Sequence, residues 1–251
     1  MSEPLPRPRR VLVTGAGVRV GQAIAVALAH PQATIAVHYG TSADGAQETQ
    51  RLIAAAVGKS ELLSADLQDR RAARRLISEG IERLGGLDLL VLSAASFERI
   101  AFADLDDDAW DRSLSLNTAA QFAMAHQAAS ALKQSRGSMV FITCSSTLTP
   151  MRNYLPYVVS KAATKQLMRT LALELAPEVR VNAVAPGTVL PPPDYSEVDR
   201  AKLAARIPLA RLGDPTDVAR AVRFLAESPF ITGHELVVDG GRTVAGFERF
   251  G

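Results

Sequence analysis

The feature that most constrains the fold is an apolar run that leads into a glycine-rich turn near the start of the chain. Val11 to Val13 form a predicted buried strand, residues 14–21 carry glycines at positions 15, 17 and 21, and an alanine-rich helix follows. Gly15 permits a tight turn, and Gly21 lets the helix pack closely against the strand. Free N–H groups at the start of that helix attract an anion, so the unit predicts a pyrophosphate-binding turn, against the alternative of a tight turn without a ligand.

Strand and helix patterns alternate along the rest of the chain. The predicted strands span residues 10–14, 34–39, 61–64, 87–92, 138–143, 179–184 and 235–238, and the predicted helices span 20–30, 42–57, 69–84, 108–134, 154–176 and 215–227. Apolar strands separated by helices are typical of a parallel, doubly wound α/β sheet with helices on both faces. We therefore predict one such domain over residues 10–251, after a disordered tail over residues 1–9.

One stretch breaks this alternation. Residues 187–194 contain three consecutive prolines, and this segment is too long for a simple turn. The stretch is either the stiffened hinge of a lid, which we place at about residues 188–208, or a plain surface loop.

Composition limits the class of protein. The chain has 251 residues, 47% of them hydrophobic, which suits one large domain, and its formal charge of +2 gives no reason to expect nucleic acid as a partner. No run approaches the ~18 apolar residues of a membrane span, and no apolar signal sequence follows the basic start of the chain. The single cysteine, Cys144, excludes an intrachain disulfide and fits a reducing compartment. We expect a cytoplasmic protein without a membrane or metal site.

Tyr157 and Lys161 stand four residues apart within a predicted helix, so both side chains lie on one face. A phenol with a pKa of ~10 serves as an acid–base group near neutral pH if nearby positive charge lowers that pKa. A shift to about 7 needs roughly 4 kcal/mol, more than one lysine supplies, so a second positive charge such as an oxidised nicotinamide is expected nearby. The pair alone also fits a surface tyrosine beside a solvated lysine.

The end of the second predicted strand bears on the choice of dinucleotide. NAD sites place a carboxylate there for the ribose 2′-hydroxyl, whereas residues 38–42 read His-Tyr-Gly-Thr-Ser and the first acid is Asp44. Arg19 in the first turn is expected to reach this strand end, and with Ser42 it favours the 2′-phosphate of NADP(H). Two alternatives stay open, with Arg19 as a solvated arginine and His38 as a strand histidine bonded within the protein.

Three polar side chains are candidates for helix caps, and two of them, Asp66 and Ser42, are also candidates for cofactor contacts. Asp66, after the third strand, is placed to accept a hydrogen bond from an adenine amino group, to cap the helix over 69–84, or to do both. Thr41 or Ser42 is expected to cap the helix over 42–57.

Together these residues resemble the short-chain dehydrogenase/reductase family in its single-domain form, over about residues 11–244. The resemblance rests on the glycine turn, Asp66, Asn117, the Tyr157/Lys161 pair, Asn182 with Pro186-Gly187, Ile231-Thr232-Gly233 and Val238-Asp239-Gly240-Gly241. It implies a Rossmann-type fold and an NADP(H)-dependent oxidoreductase with a small-molecule substrate.

The resemblance also implies roles for single residues. Tyr157 gives a proton to a carbonyl or imine as hydride arrives from the nicotinamide, while Lys161 holds the ribose hydroxyls and lowers the tyrosine pKa. Asn117 carries a water that serves as a proton path, with a plain backbone-bonding asparagine as the alternative. Cys144, or Ser145 by adjustment, orients the substrate oxygen. The implied cofactor-binding residues are Gly15, Arg19, Val20, Gly21, His38, Tyr39, Ser42, Asp66, Leu67, Ser93, Ala94, Tyr157, Lys161, Pro186, Gly187 and Val189.

Within the family the chain is most similar to the pteridine reductase branch. That branch shares the arginine at 19, the His-Tyr-x-x-Ser strand end, a Ser-Phe pair matching Ser96-Phe97 and a tyrosine matching Tyr154. In that branch the phenyl ring sandwiches a pterin against nicotinamide, although Phe97 and Tyr154 also fit a plain hydrophobic wall. The implied substrate-binding residues are Ser96, Phe97, Ser145, Tyr154 and Tyr157. The C-terminal half resembles 3-oxoacyl-carrier-protein reductases about equally well.

Two positions depart from the family pattern. Ser93 replaces an asparagine that normally braces the sheet, and Cys144 replaces a serine, or the aspartate of pteridine reductases. A thiol is a weak hydrogen-bond donor, so carbonyl polarisation is weakened and the acid that helps to protonate a pterin is missing. Ser145 is expected to point elsewhere, on a continuation of the strand. A reactive role for Cys144 is disfavoured, because no histidine lies near it in sequence.

Three functions follow. We favour an NADPH-dependent reductase that resembles pteridine reductases. The alternatives are a reductase of 3-oxoacyl-carrier-protein or of other ketones and quinones, and a non-catalytic NADP(H)-binding sensor, which the changes at Ser93 and Cys144 would suit. Family members of this form are commonly tetramers, and the alanine-rich faces of 119–131 and 162–172 would allow close helix packing in a homotetramer.

Overall fold

A computed structural model of the protein describes residues 7–191 and 195–245. Seven parallel strands form one sheet in the order β3-β2-β1-β4-β5-β6-β7. The strands are β1 (Arg10–Val13), β2 (Thr34–Tyr39), β3 (Lys59–Ser64), β4 (Leu89–Leu92), β5 (Ser138–Ile142), β6 (Arg180–Pro186) and β7 (Glu235–Val238). The predicted single, doubly wound parallel sheet is confirmed.

Helices cover both faces of the sheet. They are α1 (Arg19–Ala27), α2 (Ala43–Ala55), α3 (Arg70–Leu84), α4 (Asp107–Leu114), α5 (Ala120–Ser135), α6 (Leu155–Glu174), α7 (Glu197–Ala205) and α8 (Pro215–Glu227). Side chains alternate across each strand, so Leu12 and Leu90 pack with α3 and α5, while Val13 and Val91 pack with α1 and α8. The two apolar layers explain why the strands are apolar on both faces.

The helix predicted over 108–134 is interrupted. A π-helical turn at Ser115–Ala119 separates α4 from α5, and Asn117 lies inside it, fully buried. Such turns insert one extra residue into a helix and are frequent at functional sites. Residue periodicity does not reveal this insertion, because α4 and α5 each keep an ordinary helical pattern.

The predicted lid contains a helix that the sequence pattern did not indicate. Helix α7 begins at a capping box, in which Ser196 and Asp199 satisfy each other's backbone N–H groups. It has no buried residue, so no apolar stripe marked it in the sequence. Residues 192–194, within the proline run, lie outside the described residues.

Several predicted boundaries and caps were wrong. Strand β5 ends at Ile142, and a short 3₁₀ helix over Ser145–Thr147 replaces the expected strand continuation at Ser145. Asp69, not Asp66, caps α3 by accepting from the Arg71 N–H. Ser42 stands at the start of α2 but its side chain makes no capping bond.

Part of the predicted tail contacts the domain. The N–H of Arg9 donates to Asp88, and the carbonyl of Pro8 lies 2.9 Å from a ring nitrogen of His30. Arg7 forms an ion pair with Glu227 at 3.4 Å. The predicted disorder therefore does not hold for residues 7–9, while residues 1–6 lie outside the described part of the chain.

Within residues 7–191 and 195–245, no helix is long and apolar enough to cross a membrane. The same residues hold no group of three or more histidine, cysteine or acidic side chains placed to share a metal ion.

Candidate active site

The candidate site is a cavity of about 360 Å³ at the carboxyl ends of β4, β5 and β6. In a doubly wound sheet this is the edge where ligands bind, because the strand order reverses there. The start of α1 and the lid segment close its other sides. Its lining includes Arg19, Val20, Ser93, Phe97, Cys144, Ser145, Ser146, Tyr154, Tyr157, Lys161, Pro186, Gly187, Thr188, Val189, Leu190, Tyr195, Leu203 and Arg242.

The glycine turn between β1 and α1 fits closely against its neighbours. Gly15 has φ of +65°, and a Cβ there would lie 2.9 Å from the Cα of Ala94. A Cβ on Gly21 would lie 2.1 Å from the carbonyl oxygen of Gly15. Glycine is therefore required at both positions, by conformation at the first and by close packing at the second.

The start of α1 is open to an anion. Val18 precedes the helix in an extended conformation, no side chain caps the helix, and its first turn carries no acidic residue. The first N–H groups of a helix lack partners within the helix and carry partial positive charge. With the glycine turn beside it, this helix start fits the pyrophosphate of a dinucleotide.

Arg19 departs from its predicted position. Its guanidinium donates to the carbonyl of Leu190 at 2.9 Å and lines the cavity, so it faces the lid rather than the end of β2. Its backbone is left-handed, with φ of +57°, which costs a residue other than glycine roughly 1–2 kcal/mol. The Leu190 contact decides the direction of this side chain, and no local sequence pattern encodes that contact.

His38 does not face a ligand. It is 2% exposed, its Nδ1 accepts from the N–H of Gly15 at 3.0 Å, and its Nε2 lies 3.1 Å from the carbonyl of Ala65. The second contact requires the Nε2–H tautomer, and burial lowers the histidine pKa, so the ring is neutral. The prediction of His38 as a cofactor ligand was wrong, and the alternative of a strand histidine bonded within the protein is confirmed.

The other predicted cofactor residues surround the turn. Tyr39 ends β2, and Ser42 begins α2 with its hydroxyl uncommitted to a cap. Asp66 is not a helix cap, and its carboxylate accepts from the N–H of Gln68 at 2.9 Å. Leu67 is buried in the core beside it.

The segment after β4 is tied to β1 by one hydroxyl. The Thr14 Oγ1 accepts from the N–H groups of Ser93 and Ala94 at 3.0 and 3.1 Å. The carbonyl of Ala94 accepts from the amide of Gln121 at 3.3 Å. The side chains of Thr14 and Gln121 therefore hold the backbone of this segment in place, although Ser93 lacks the amide that the family pattern would supply.

Tyr157 lies at the floor of the cavity and is 9% exposed. Its hydroxyl lies next to the thiol of Cys144, and its ring meets that of Phe97 edge-on, with centroids 4.7 Å apart. Burial and the Cys144 contact raise the pKa of the phenol well above 10. The protein's own groups thus hold Tyr157 protonated, opposite to the lowering expected from Lys161.

Lys161 is 1% exposed, and its Nζ donates to the carbonyl of Ile142 at 2.7 Å. Burial lowers its pKa from 10.5 to about 8. The ammonium lies 5.8 Å from the centre of the Tyr157 ring, one helical turn away as the four-residue spacing predicts. A lysine with this pKa is largely charged at neutral pH and titrates just above it.

Asn117 uses its amide to join three parts of the site. Its Oδ1 accepts from the N–H of Ser96, while its Nδ2 donates to the carbonyl of Ser96 and to the hydroxyls of Ser113 and Ser160. Its backbone carbonyl accepts from Thr164 at 2.6 Å. The side chain thus braces the segment after β4 against α6, and its role in a proton path stays a prediction.

Cys144 starts the short helix after β5, where its sulfur accepts from the N–H of Ser146 at 3.5 Å. Ser145 and Ser146 are buried and also line the cavity, and the hydroxyl of Ser146 has no hydrogen-bond partner among the described residues. At the neighbouring strand end, Pro186 terminates β6 and Gly187 donates its N–H to Val238. Ser145, which the sequence predicted, and Ser146, which it did not, thus line the cavity together with the Cys144 thiol.

Aromatic rings form one wall. Phe97 stacks on Tyr154 with centroids 4.5 Å apart and planes 16° apart, and Phe97 is 50% exposed. Tyr154 covers one face of the phenyl ring, so a planar ligand would have the other face or would displace the tyrosine. Phe97 and Tyr154, both predicted from the sequence as substrate-binding residues, therefore stack on each other and also line the cavity.

Besides Ser146, the sequence analysis missed Arg242 as a residue of the site. Arg242, three residues after Asp239, reaches the cavity and donates to the hydroxyl of Thr188 at 2.6 Å. Tyr195 and Leu203, which belong to the lid predicted over residues 188–208, line the same cavity. In the sequence, Arg242 is a single arginine after Gly240-Gly241. That pattern does not distinguish an arginine that lines a cavity from one that is solvated.

Comparison with known proteins identifies the family. A family model described as enoyl-(acyl carrier protein) reductase, of the short-chain dehydrogenase/reductase type, matches residues 15–243. The chain belongs to the short-chain dehydrogenase/reductase family. Like other members of that family, it is an oxidoreductase of the type that uses nicotinamide cofactors.

The names of individual relatives of this oxidoreductase denote a range of activities. A (3R)-3-hydroxyacyl-CoA dehydrogenase from Mus musculus is 36% identical, with 94% of this chain and 96% of that protein covered. A glucose 1-dehydrogenase from Gluconobacter oxydans is 30% identical over 95% and 93% of the two chains. The crystal structure of FolM alternative dihydrofolate reductase 1 from Brucella suis, in complex with NADP, is 31% identical, with a TM-score of 0.87 and 94% and 95% coverage.

The depressed pKa of Lys161 makes a prediction about stability. The unfolded chain holds the lysine proton more tightly than the folded chain, so burying the charge lowers stability below pH 8, and this loss disappears as the pH rises towards 10.5. We expect the free energy of unfolding of the wild type, measured against Lys161→Met by urea titration, to rise by about 3 kcal/mol over that interval.

The exposed Lys59 provides the control, because Lys59→Met removes a lysine without touching the cavity. A difference between wild type and Lys161→Met that stays constant from pH 8 to 10.5 would contradict the buried, titrating ammonium.

Proposed function

We propose that this short-chain reductase reduces a carbonyl or a pterin-like C=N bond with NADPH, using Tyr157 as the general acid. The observation that carries the proposal is the convergence of Tyr157, Lys161 and Cys144 in one cavity, opposite an uncapped helix start that suits a pyrophosphate. A protonated phenol at the floor of a cavity is what a reduction requires, because the substrate heteroatom must gain a proton.

The chain's own residues account for the proton and the positioning. Tyr157 donates its proton to the substrate oxygen or nitrogen, and the positive charge of Lys161 stabilises the phenolate that remains. Cys144 contacts the same hydroxyl and lies where it would orient the substrate heteroatom. A bound, reduced nicotinamide would supply the hydride that adds to the substrate carbon.

Cofactor choice is proposed as NADPH over NADH. The end of β2 carries no carboxylate up to Ser42, whose hydroxyl makes no capping bond and is available to a 2′-phosphate. Two solved relatives support the choice, since the Brucella suis FolM structure holds NADP and a blue fluorescent protein from a metagenomic library holds NADPH. Arg19 is assigned to the cavity side instead, because it contacts Leu190.

The best specific proposal for the substrate is a pterin-like ring. Phe97 and Tyr154 offer stacked aromatic surface beside Tyr157, and the FolM relative is described as an alternative dihydrofolate reductase. A second candidate is a 3-oxoacyl thioester or another ketone, which the relationship to a (3R)-3-hydroxyacyl-CoA dehydrogenase favours. Cys144 in place of an acid favours this second candidate.

Assembly and location complete the proposal. We propose a homotetramer, supported by apolar side chains on the outer faces of α5 and α6, where Phe122 is 43% and Leu173 is 82% exposed. A cytoplasmic location is proposed from the lone free thiol of Cys144.

Removal of the phenol hydroxyl tests the enzymatic proposal against a non-catalytic NADP(H) sensor. We expect Tyr157→Phe to lower the rate of NADPH oxidation at least about 10²-fold on a panel of ketones, quinones and dihydropterins, because the proton donor is lost. NADPH should still bind tightly to this variant, because the other cofactor-binding residues are intact. Tight NADPH binding by a wild type that turns over none of the panel would favour the sensor instead.

A charge placed at Ser42 tests the choice of cofactor. We expect wild type to bind NADPH far better than NADH, and Ser42→Asp to weaken NADPH binding about tenfold through repulsion of the 2′-phosphate while leaving NADH binding little changed. Gln47→Asp, on an exposed position of α2, adds the same charge away from the strand end. Equal wild-type affinities for the two cofactors, measured by fluorescence titration, would refute the assignment.

Substitution of Cys144 separates the two substrate candidates. Cys144→Ser should keep or raise kcat/KM for ketones, because a hydroxyl donates a better hydrogen bond than a thiol. Cys144→Asp should shift the ratio of activities towards dihydropterins by supplying a proton donor for the ring. Complete loss of ketone reduction in the serine variant, with NADPH binding intact, would mean that the thiol itself is needed.

A further inference from the structure

The charged groups around the cavity are all of one sign. Its described lining contains the cations Arg19, Lys161 and Arg242 and no aspartate or glutamate. A cavity whose walls carry only positive charge raises the local concentration of anions and disfavours cationic ligands.

The three cations are not equivalent. Lys161 is buried and donates to the carbonyl of Ile142, so it belongs to the catalytic pair. Arg19 is exposed and donates to Leu190 near the start of α1, where the cofactor pyrophosphate is expected. Arg242 approaches from the opposite end of the chain, beside the lid, and the proposed chemistry gives it no task.

Arg242 is held in a fixed position. The Asp239 carboxylate accepts from the N–H groups of Gly241 and Thr243, which pins the turn on both sides of the arginine. The guanidinium then donates to the Thr188 hydroxyl at 2.6 Å, and the side chain is half-buried. A guanidinium has five N–H donors, and among the described residues only one of them is used.

The neighbouring acids already have partners. Both oxygens of Asp239 accept backbone N–H groups, and Asp217, in the adjacent pocket, is bound by Arg211. Within residues 7–191 and 195–245, no carboxylate lies within 4.0 Å of the Arg242 guanidinium. Its charge is therefore uncompensated by the described residues, and its remaining donors suit a carboxylate.

We propose that Arg242, positioned by Thr188, binds a carboxylate on the substrate and makes this enzyme selective for acidic carbonyl or imine compounds. The inference rests on the proposed reductase function and adds the class of substrate. The aromatic wall of Phe97 and Tyr154 suits a planar ring between the acid and the reacting bond.

An equilibrium experiment tests the site without turnover. Benzoate and benzamide have the same shape but differ in charge, and neither is a carbonyl substrate for this chemistry. In calorimetric titrations of the NADP-saturated protein, we expect benzoate to bind at least about tenfold more tightly than benzamide, and Arg242→Gln to remove that preference. Arg220→Gln is the matched control, because this arginine is exposed and lies outside the cavity.

Either of two results with the wild type and Arg242→Gln would overturn the site, and so would one result with the control variant. One is equal binding of benzoate and benzamide to the wild type. The other is a benzoate preference that survives Arg242→Gln, including the case in which that variant instead loses affinity for NADP, which would assign the arginine to the cofactor. An effect of equal size in Arg220→Gln would show only a general loss of positive charge and would also reject the proposal.

A turnover experiment separates this inference from the proposed function. With NADPH, we expect 4-carboxybenzaldehyde to be reduced with a kcat/KM at least about tenfold above that of its methyl ester, with the advantage lost in Arg242→Gln and residing mainly in KM. Reduction of both compounds without an acid preference would support the reductase and refute the carboxylate site. An Arg242-dependent benzoate preference without reduction of any carbonyl compound would support the carboxylate site and count against the reductase.

Discussion

Parallel pairing on both sides of β1 is the constraint on which the site depends. Because all strands run the same way, every strand ends at the same edge of the sheet. From β1 the chain continues to β2 on one side, and from β4 it continues to β5 on the other side, which opens a crevice between β1 and β4. The crevice between them is fixed by the Thr14 hydroxyl, which holds the segment after β4, and by His38, which holds the glycine turn. These bonds hold the glycine turn beside the segment after β4, at the edge where the cavity opens.

Burial sets the acid–base character of that crevice. It raises the pKa of Tyr157 and lowers the pKa of Lys161, because a low-polarity environment disfavours the charged form of each group. At neutral pH the phenol therefore keeps its proton while the ammonium is still largely charged, which is the state that a reduction starts from. Lys161 alone does not lower the pKa of the phenol. This agrees with the expectation from the sequence that a second positive charge, such as an oxidised nicotinamide, is needed to lower it.

Some of the site was predictable because its residues act through local spacing. Tyr157 and Lys161 share a helix face at any position in the fold, and glycines 15 and 21 follow from the geometry of a strand–turn–helix unit. Arg19 faces the lid and not the end of β2 because it contacts Leu190, which is 171 residues away in sequence, and its role toward the cofactor stays a prediction. His38 was misassigned as a ligand because its partners, Gly15 and Ala65, come from two other segments.

The sequence by itself determined the α/β class, the parallel order of apolar strands, the glycine turn and the helical spacing of the acid–base pair, since each follows from short-range periodicity and backbone sterics. Only the tertiary structure decided the sign of the Tyr157 pKa shift, the π-helical turn at Asn117 and the arrival of Arg242 at the cavity. These depend on burial and on contacts between segments that are distant in sequence. The glycine-rich turn predicted a place for a dinucleotide, and the folded chain brought Arg242 from the far end of the sequence to the same cavity.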